Sequence, residues 1–169
     1  SSRVSVIIGS CVGGVLSIEK NHRHGKNANE IPKMPIAAIA SQVAESCHAG
    51  GIVTNVGNAC AAGTISIALA CDLIRAGRAD VVIAGGSDSF ASVPYSGFLS
   101  LHALDENGCS PFNHCNGITL GEGAGIVIVE SLEHAEKRNA KRYCEVLGAG
   151  VTSDAHHITA PREDGGCPL

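Results

Sequence analysis

The chain has 169 residues, of which 44% are hydrophobic and 3% aromatic, and its formal net charge is −4. Such a length and hydrophobic content predict one folded domain with a sizeable core and argue against a disordered chain. The net negative charge does not favour binding to nucleic acid or to an anionic membrane surface. No apolar run reaches the roughly 18 residues of a membrane span. The first ten residues also lack the pattern of a signal peptide.

The first third of the chain alternates β-branched runs with helical patterns. Residues 4–8, VSVII, predict a short buried strand, and a helix is expected from Cys11 to about His24. Pro35 opens a second helix, in which IAAIASQVAESC carries apolar residues at helical spacing. A second strand is predicted for GIVTNV, residues 51–56.

The remainder of the chain continues this alternation. In chain order, we predict a helix over 61–76, a strand over 79–86, a short helix over 95–103 within a long irregular stretch at 87–118, a strand over 123–130, a helix over 132–139 and a further ordered segment over 143–151. Strands that alternate with helices in this way favour an α/β architecture with a largely parallel sheet.

The cysteines do not follow a metal-binding pattern. None of the eight belongs to a CxxC pair, and Cys109, His114 and Cys115 come nearest to a cluster. Structural zinc sites generally use tighter ligand pairs, so we predict no metal. Most of the cysteines have apolar neighbours, which is typical of small core residues in a protein of the reducing cytoplasm.

Cys60 stands apart from the other cysteines because of its surroundings. It lies in GNACAAGT, directly before an apolar helical run. Small neighbours leave room for a substrate, and the start of a helix favours a thiolate over a thiol. Backbone N–H groups at the same helix start could stabilise the oxyanion formed when a thiolate attacks a thioester carbonyl. The alternative is a buried structural cysteine, which the local residues alone leave open.

The turn GNACAAG resembles the active-site turn of the β-ketoacyl-acyl-carrier-protein synthases, the condensing enzymes of the thiolase superfamily. Five further blocks match that family in order: GSCVGG at 9–14, LIRAGRADVVIAGGSDS at 73–89, GFLSLHALD at 97–105, SPFNHCNGITLGEGAGIVIVESLEHAEKRNAK at 110–141 and TSDAHHITAPREDG at 152–165. The resemblance implies a partial thiolase-like fold, with the whole chain, 1–169, as a synthase N-terminal-type domain that is incomplete at both ends relative to the family.

The resemblance also implies site residues and partners. Cys60 would accept an acyl group as a thioester, and malonyl-acyl-carrier-protein would then decarboxylate and condense onto it. Ile8 and Phe98 would line the acyl pocket, and Thr159 would approach the phosphopantetheine arm. This arm arrives on the carrier protein, so no resident cofactor is expected. Pairing through the strand at 51–56 would give a homodimer or a heterodimer with a related synthase-like subunit.

The catalytic histidines of the family lie further along, one of them in an HGTGT-like motif, and the chain contains no such motif. By the resemblance, His156 and His157 match a loop of the family and not these catalytic positions. We therefore expect the isolated chain to be inactive in condensation.

Three alternatives remain beside a synthase of fatty acid, polyketide or polyene biosynthesis. A non-catalytic partner of the chain-length-factor type would typically lack the cysteine at position 60. A thiolase acting on acyl-CoA is disfavoured by the GEGAG and SDAHHITAP blocks. An inert structural fragment would have a cysteine that accepts no acyl group.

Overall fold

The computed structural model describes residues 1–25, 27–113, 116–158 and 160–166. The strands are β1 (Val4–Gly9), β2 (Val53–Val56), β3 (Val81–Asp88) and β4 (Gly123–Glu130). The α-helices are α1 (Val15–Arg23), α2 (Ala37–Ser46), α3 (Ala62–Arg75), α4 (Ser92–Ser100) and α5 (Leu132–Lys137), and short 3₁₀ turns occupy Ile31–Lys33 and Ala59–Ala61.

The four strands form one mixed sheet in the order β2-β1-β3-β4. β1 lies between β2 and β3 and runs parallel to both, whereas β4 runs antiparallel to β3. The prediction of a largely parallel sheet within an α/β fold is therefore confirmed. In parallel strands the carboxyl ends meet at one edge of the sheet, so the segments that follow β1, β2 and β3 lie close together.

Helices cover both faces of the sheet because successive side chains of β1 point in opposite directions. On one face α2 packs against the strands through a cluster formed by Val6, Ile8, Ala40, Ala44 and Ile83. On the other face α3 packs through a cluster formed by Ile7, Ala70, Ala79, Val82 and Ala84. Burial of each large aliphatic side chain contributes about 1.5–3 kcal/mol, which explains why VSVII forms the central strand.

The start of α3 packs closely against β3. A Cβ atom on Gly86 would lie 3.2 Å from the Cα atom of Gly63, so the two backbones approach each other at glycine positions. Beside this contact, the buried hydroxyl of Ser66 donates to the Gly85 carbonyl at 2.7 Å and accepts from the Gly85 N–H at 3.0 Å. These contacts fix the position at which α3, and the turn before it, meets the sheet.

Two helices, α1 and α4, begin three or four residues away from their predicted starts. α1 starts at Val15 and not at Cys11, because Gly13 adopts a left-handed φ of 58° and the preceding residues form a turn. α4 starts at Ser92, three residues before the predicted position, because the Glu19 carboxylate accepts a hydrogen bond from the Val93 N–H and secures that end.

The prediction of a further ordered element at 143–151 was wrong, because the structure shows neither a helix nor a strand there. Tyr143, Leu147 and Val151 are 85%, 84% and 65% exposed. Among the described residues no strand pairs with this segment, so its apolar side chains have nothing to pack against. No helix in the described part of the chain combines the length and the apolarity needed to cross a bilayer.

Candidate active site

Chemically active side chains gather at the carboxyl edge of the three parallel strands. Cys11 follows β1, Cys60 follows β2, and Asp88 is the last residue of β3. In open α/β sheets this edge is where ligands bind. Cys60 and Cys11 are both exposed.

Cys60 lies at the centre of a sharp connection between β2 and α3. The 3₁₀ turn Ala59–Ala61 runs directly into α3, which begins at Ala62. Ala59 has a φ of 47°, a left-handed conformation that is uncommon for a residue with a side chain and often accompanies functional turns. The tight turn presents the Cys60 side chain to solvent beside the helix start, as a nucleophile requires. The alternative of a buried cysteine at position 60 is contradicted by its exposure.

Some backbone N–H groups of this turn donate hydrogen bonds to backbone carbonyls, and others do not. The Ala61 N–H donates to the Asn58 carbonyl at 3.2 Å, and the Ala62 N–H donates to the Ala59 carbonyl. Within the described residues no backbone carbonyl accepts from the N–H of Cys60 itself. The Cys60 N–H is thus the donor that this turn leaves for the oxyanion that forms on a thioester carbonyl oxygen when the Cys60 sulfur attacks the carbonyl carbon.

Asp88 holds the turn after β1 in place. Its carboxylate accepts hydrogen bonds from the Ser10 hydroxyl at 2.6 Å, from the Cys11 N–H at 3.0 Å and from the Val12 N–H at 2.7 Å. The Ser10 oxygen in turn accepts from the Gly13 N–H at 2.7 Å. Hydrogen bonds to a carboxylate are stronger than neutral ones, so the turn that carries Cys11 is firmly anchored to β3.

The turns that carry Cys11 and Cys60 lie against each other. Gly9 packs on the first residues of α3 so closely that a Cβ atom there would lie 2.3 Å from the Ala62 carbonyl carbon. The Cys60 side chain is close enough to contribute to the pKa of the Cys11 thiol, so the two side chains are neighbours. Partial burial raises the pKa of the Cys11 thiol, and interactions with Cys60 and Asp88 raise it further. Cys11 is therefore kept as a neutral S–H group beside Cys60.

The predicted substrate-binding residues lie at different depths. Ile8 is 1% exposed and belongs to the core beneath the site, where its carbonyl accepts from the Asn55 side-chain amide at 3.0 Å. Phe98 is half-buried on α4. Thr159 lies outside the described residues. Their roles at an acyl chain or a pantetheine arm stay predictions.

The concavity formed by residues of the loop at 152–166 does not include the cysteine site. It is open, its volume is about 370 Å³, and its lining includes Asp154 and Arg162 and does not include Cys60. His156 and His157 are exposed. The ring Nδ1 of His157 accepts from the Ala160 N–H at 3.1 Å. Across the described residues no group of three or more His, Cys, Asp or Glu side chains could hold a metal, and His114 and Cys115 lie outside them.

Sequence reasoning missed two residues of the site, Cys11 and Asp88. The sequence predicts Cys11 only as the start of a helix and as part of the GSCVGG block, without a role at the site. A signal was nevertheless present, because both residues come at the end of strands that were predicted to run parallel. The amino-acid sequence alone does not show that β1 and β3 are direct neighbours. This pairing brings Asp88 to the Cys11 turn.

Comparison with protein families settles the relationship suggested by the motifs. The family described as "Beta-ketoacyl synthase, N-terminal domain" matches residues 1–135. The chain belongs to this family. A 3-oxoacyl-[acyl-carrier-protein] synthase homolog of Saccharomyces cerevisiae is 38% identical over 168 residues, covering 94% of this chain and 38% of the relative. The 3-oxoacyl-[acyl-carrier-protein] synthase 2 of Staphylococcus aureus is 35% identical over 183 residues, covering 98% of this chain and 44% of the relative.

Solved structures give the same result for the fold. A type II PKS acyl-carrier protein in complex with its ketosynthase, bound to the hexaketide, matches with a TM-score of 0.86 at 30% identity, over 97% of this chain and 45% of that chain. The ishigamide ketosynthase/chain length factor matches with a TM-score of 0.86 at 31% identity, over 98% of this chain and 44% of that chain. The prediction of a partial thiolase-like fold is confirmed. The chain spans less than half the length of these relatives.

Proposed function

We propose that the protein is a β-ketoacyl-acyl-carrier-protein synthase in which Cys60 is the nucleophile that accepts the acyl group. The observation that carries this proposal is the exposed Cys60 on a strained turn at the carboxyl edge of the parallel strands, in a chain of the β-ketoacyl synthase family. Sulfur nucleophiles divide acyl transfer into two easier steps, and a turn that leads into a helix suits both.

In the first step the Cys60 thiolate attacks the carbonyl carbon of an acyl thioester, and the N–H of Cys60 stabilises the oxyanion that forms. Collapse of this intermediate expels the thiolate of the carrier and leaves the acyl group on Cys60. In the second step a malonyl thioester loses carbon dioxide, and its α-carbon attacks the acyl carbonyl. Expulsion of the Cys60 thiolate then gives the β-ketoacyl product on the carrier.

Decarboxylation requires charge stabilisation at the thioester oxygen of the developing enolate. By the family resemblance, two histidines that the chain does not contain would supply most of it. We therefore expect the isolated 169-residue chain to transfer acyl groups to sulfur slowly at most, and to form no carbon–carbon bond. Fatty acid and polyketide or polyene biosynthesis are the pathways to which such a reaction belongs.

The proposed partner is an acyl carrier protein, whose phosphopantetheine arm brings the acyl and malonyl thioesters, so that no resident cofactor is needed. Support comes from the relatives named 3-oxoacyl-[acyl-carrier-protein] synthase and from the ketosynthase solved with its acyl-carrier protein. A cytoplasmic location fits this chemistry and the exposed free thiols.

We further propose pairing with a second subunit through β2. This strand is hydrogen-bonded to β1 on one side, and its Val53 is 37% exposed. An exposed strand edge favours pairing with another chain, and two-fold pairing of identical strands is the common closed solution. The ketosynthase/chain length factor structures support a related subunit as the other candidate. Sedimentation of a clean monomer at micromolar concentration would contradict this pairing.

The function is tested by measuring condensation in the complete protein with acyl and malonyl thioesters of a carrier protein. We expect β-ketoacyl product from the unaltered protein and none from Cys60→Ala. Cys47→Ala is the matched control, since Cys47 is also exposed but lies at the end of α2. Equal product formation by Cys60→Ala and the unaltered protein would overturn the proposed role.

A further inference from the structure

We propose that Cys11 and Cys60 form a reversible disulfide when a peroxide oxidises the site, so that Cys11 protects the nucleophile from irreversible oxidation. The proposal rests on the proposed function only in that Cys60 is the thiol whose protection matters. It assigns to Cys11 the role of a resolving cysteine.

The geometry that supports this pairing comes from three sets of contacts. Gly9 packs against the backbone of Ala62, which brings the turn after β1 onto the turn that precedes α3. The Ser10 N–H donates to the Val56 carbonyl at 3.0 Å and ties the same turn to the end of β2. The Asp88 carboxylate then holds the Cys11 N–H from the side of β3. Three strands therefore converge to place one thiol beside the other.

Both thiols are accessible to a small oxidant because Cys11 and Cys60 are exposed. Cys11 also lies outside regular secondary structure, between the end of β1 and the start of α1 at Val15. A disulfide needs its sulfurs about 2.05 Å apart, closer than a hydrogen-bonding contact. Rotation of the two side chains makes this approach while the Cys11 N–H stays hydrogen-bonded to Asp88 and the sheet is unbroken.

The chemistry balances with hydrogen peroxide as the oxidant. The Cys60 thiolate attacks one peroxide oxygen, the O–O bond breaks, and the products after uptake of one proton are a Cys60 sulfenic acid and water. The Cys11 sulfur then attacks the Cys60 sulfur, the S–O bond breaks, and the leaving hydroxide takes the Cys11 proton to form a second water. The two thiols lose two electrons in total, which the peroxide accepts. A dithiol reductant restores both thiols by exchange.

The division of roles follows from the charges at the site. Burial, Cys60 and the Asp88 carboxylate raise the pKa of Cys11, so Cys11 remains protonated and is itself slow to react with peroxide. Cys60 is therefore oxidised first, and Cys11 attacks only after the sulfenic acid has formed, losing its proton to the departing hydroxide.

The test uses the complete protein, treated with hydrogen peroxide, alkylated and digested with trypsin. Cleavage after Arg3, Lys20, Lys33 and Arg75 places Cys11 in peptide 4–20 and Cys60 in peptide 34–75. We expect these two peptides to be linked, with fragmentation locating the bond at Cys60 and not at Cys47 or Cys71 of the same peptide. A bond at either of those cysteines, or no link at all, would overturn the proposal.

A second measurement compares Cys11→Ser with the matched variant Cys47→Ser. After peroxide and then a dithiol reductant, we expect about tenfold more irreversibly oxidised Cys60, as sulfinic acid, in Cys11→Ser than in the unaltered protein. Cys47→Ser should behave like the unaltered protein. Equal sulfinic acid in all three proteins would contradict the protective role. Acyl loading of the reduced proteins is measured separately, so a failure of the disulfide and a failure of the proposed function are distinguishable.

Discussion

Replacement of Gly9 by alanine inserts a methyl group between β1 and the turn that carries Cys60. The added Cβ atom would lie 2.3 Å from both the carbonyl carbon and the carbonyl oxygen of Ala62, and 2.5 Å from the Gly63 nitrogen. All three are backbone atoms, so no side chain can rotate away. Because ordinary contacts of this kind begin near 3.4 Å, the start of α3 has to move by about 1 Å.

This displacement has two separate consequences. Overpacking of this kind costs about 1–3 kcal/mol of unfolding free energy, and a cost near 2 kcal/mol lowers the melting temperature of a domain of this size by about 4–8 °C. A shift of about 1 Å at a nucleophile can also slow its reaction by about 100-fold. The loss of Cys60 reactivity should therefore exceed what partial unfolding explains at 25 °C.

The assay combines thermal unfolding with the rate of Cys60 alkylation at 25 °C. Gly97→Ala is the matched control, because, apart from its chain neighbours and the backbone of α4 itself, no atom lies within 4 Å of the position its Cβ would take. In a helix this substitution is expected to be neutral or to stabilise by about 0.5–1 kcal/mol. If Gly9→Ala had the melting temperature and alkylation rate of the unaltered protein, the close packing of β1 on the Cys60 turn would be refuted.

Two further predictions concern the scaffold. Ser66→Ala leaves the buried Gly85 N–H and carbonyl without their side-chain partner, so we expect the free energy of unfolding in urea to fall by about 1–3 kcal/mol. An unchanged urea midpoint would contradict the stabilising role of the Ser66–Gly85 hydrogen bonds between α3 and β3. Hydrogen bonds and charge from Arg138, together with His134, lower the pKa of Glu130 from 4.5 to about 2. Its ionised form therefore stabilises the fold above pH 4.5, and this contribution is lost as the pH falls towards 2. Glu130→Gln should unfold about 1–2 kcal/mol more easily at pH 7, with the difference vanishing near pH 2, and a difference that did not change with pH would argue against this ion pair.

The elements that the sequence specifies most clearly are those with strong local patterns. VSVII and ADVVIAGG became β1 and β3, since β-branched side chains suit strands that are buried on both faces. The run behind Cys60 became α3 almost as predicted. The start of α1 was misplaced because the turn over Gly13 depends on Asp88, 75 residues away in the chain, through the Ser10 hydroxyl.

The candidate site was predictable only in part for the same reason. Cys60 was identified from its small neighbours and the following helix, which are local features. The proximity of the Cys60 turn to the Cys11 turn depends on strand order and on a glycine contact between distant segments, which no local pattern encodes. The prediction of an ordered element at 143–151 was wrong for the complementary reason, since a strand-like sequence forms a strand only beside a partner strand.

The acyl-accepting role of Cys60 is tested most directly by trapping the acyl enzyme. The reduced complete protein is mixed briefly with an acyl thioester of a carrier protein, quenched in acid and digested, and peptide 34–75 is fragmented. Cys47 and Cys71 in the same peptide act as internal controls, one exposed and one buried. The account predicts the acyl mass on Cys60 alone. Acylation of Cys47 or of another thiol, with Cys60 unmodified, would contradict it.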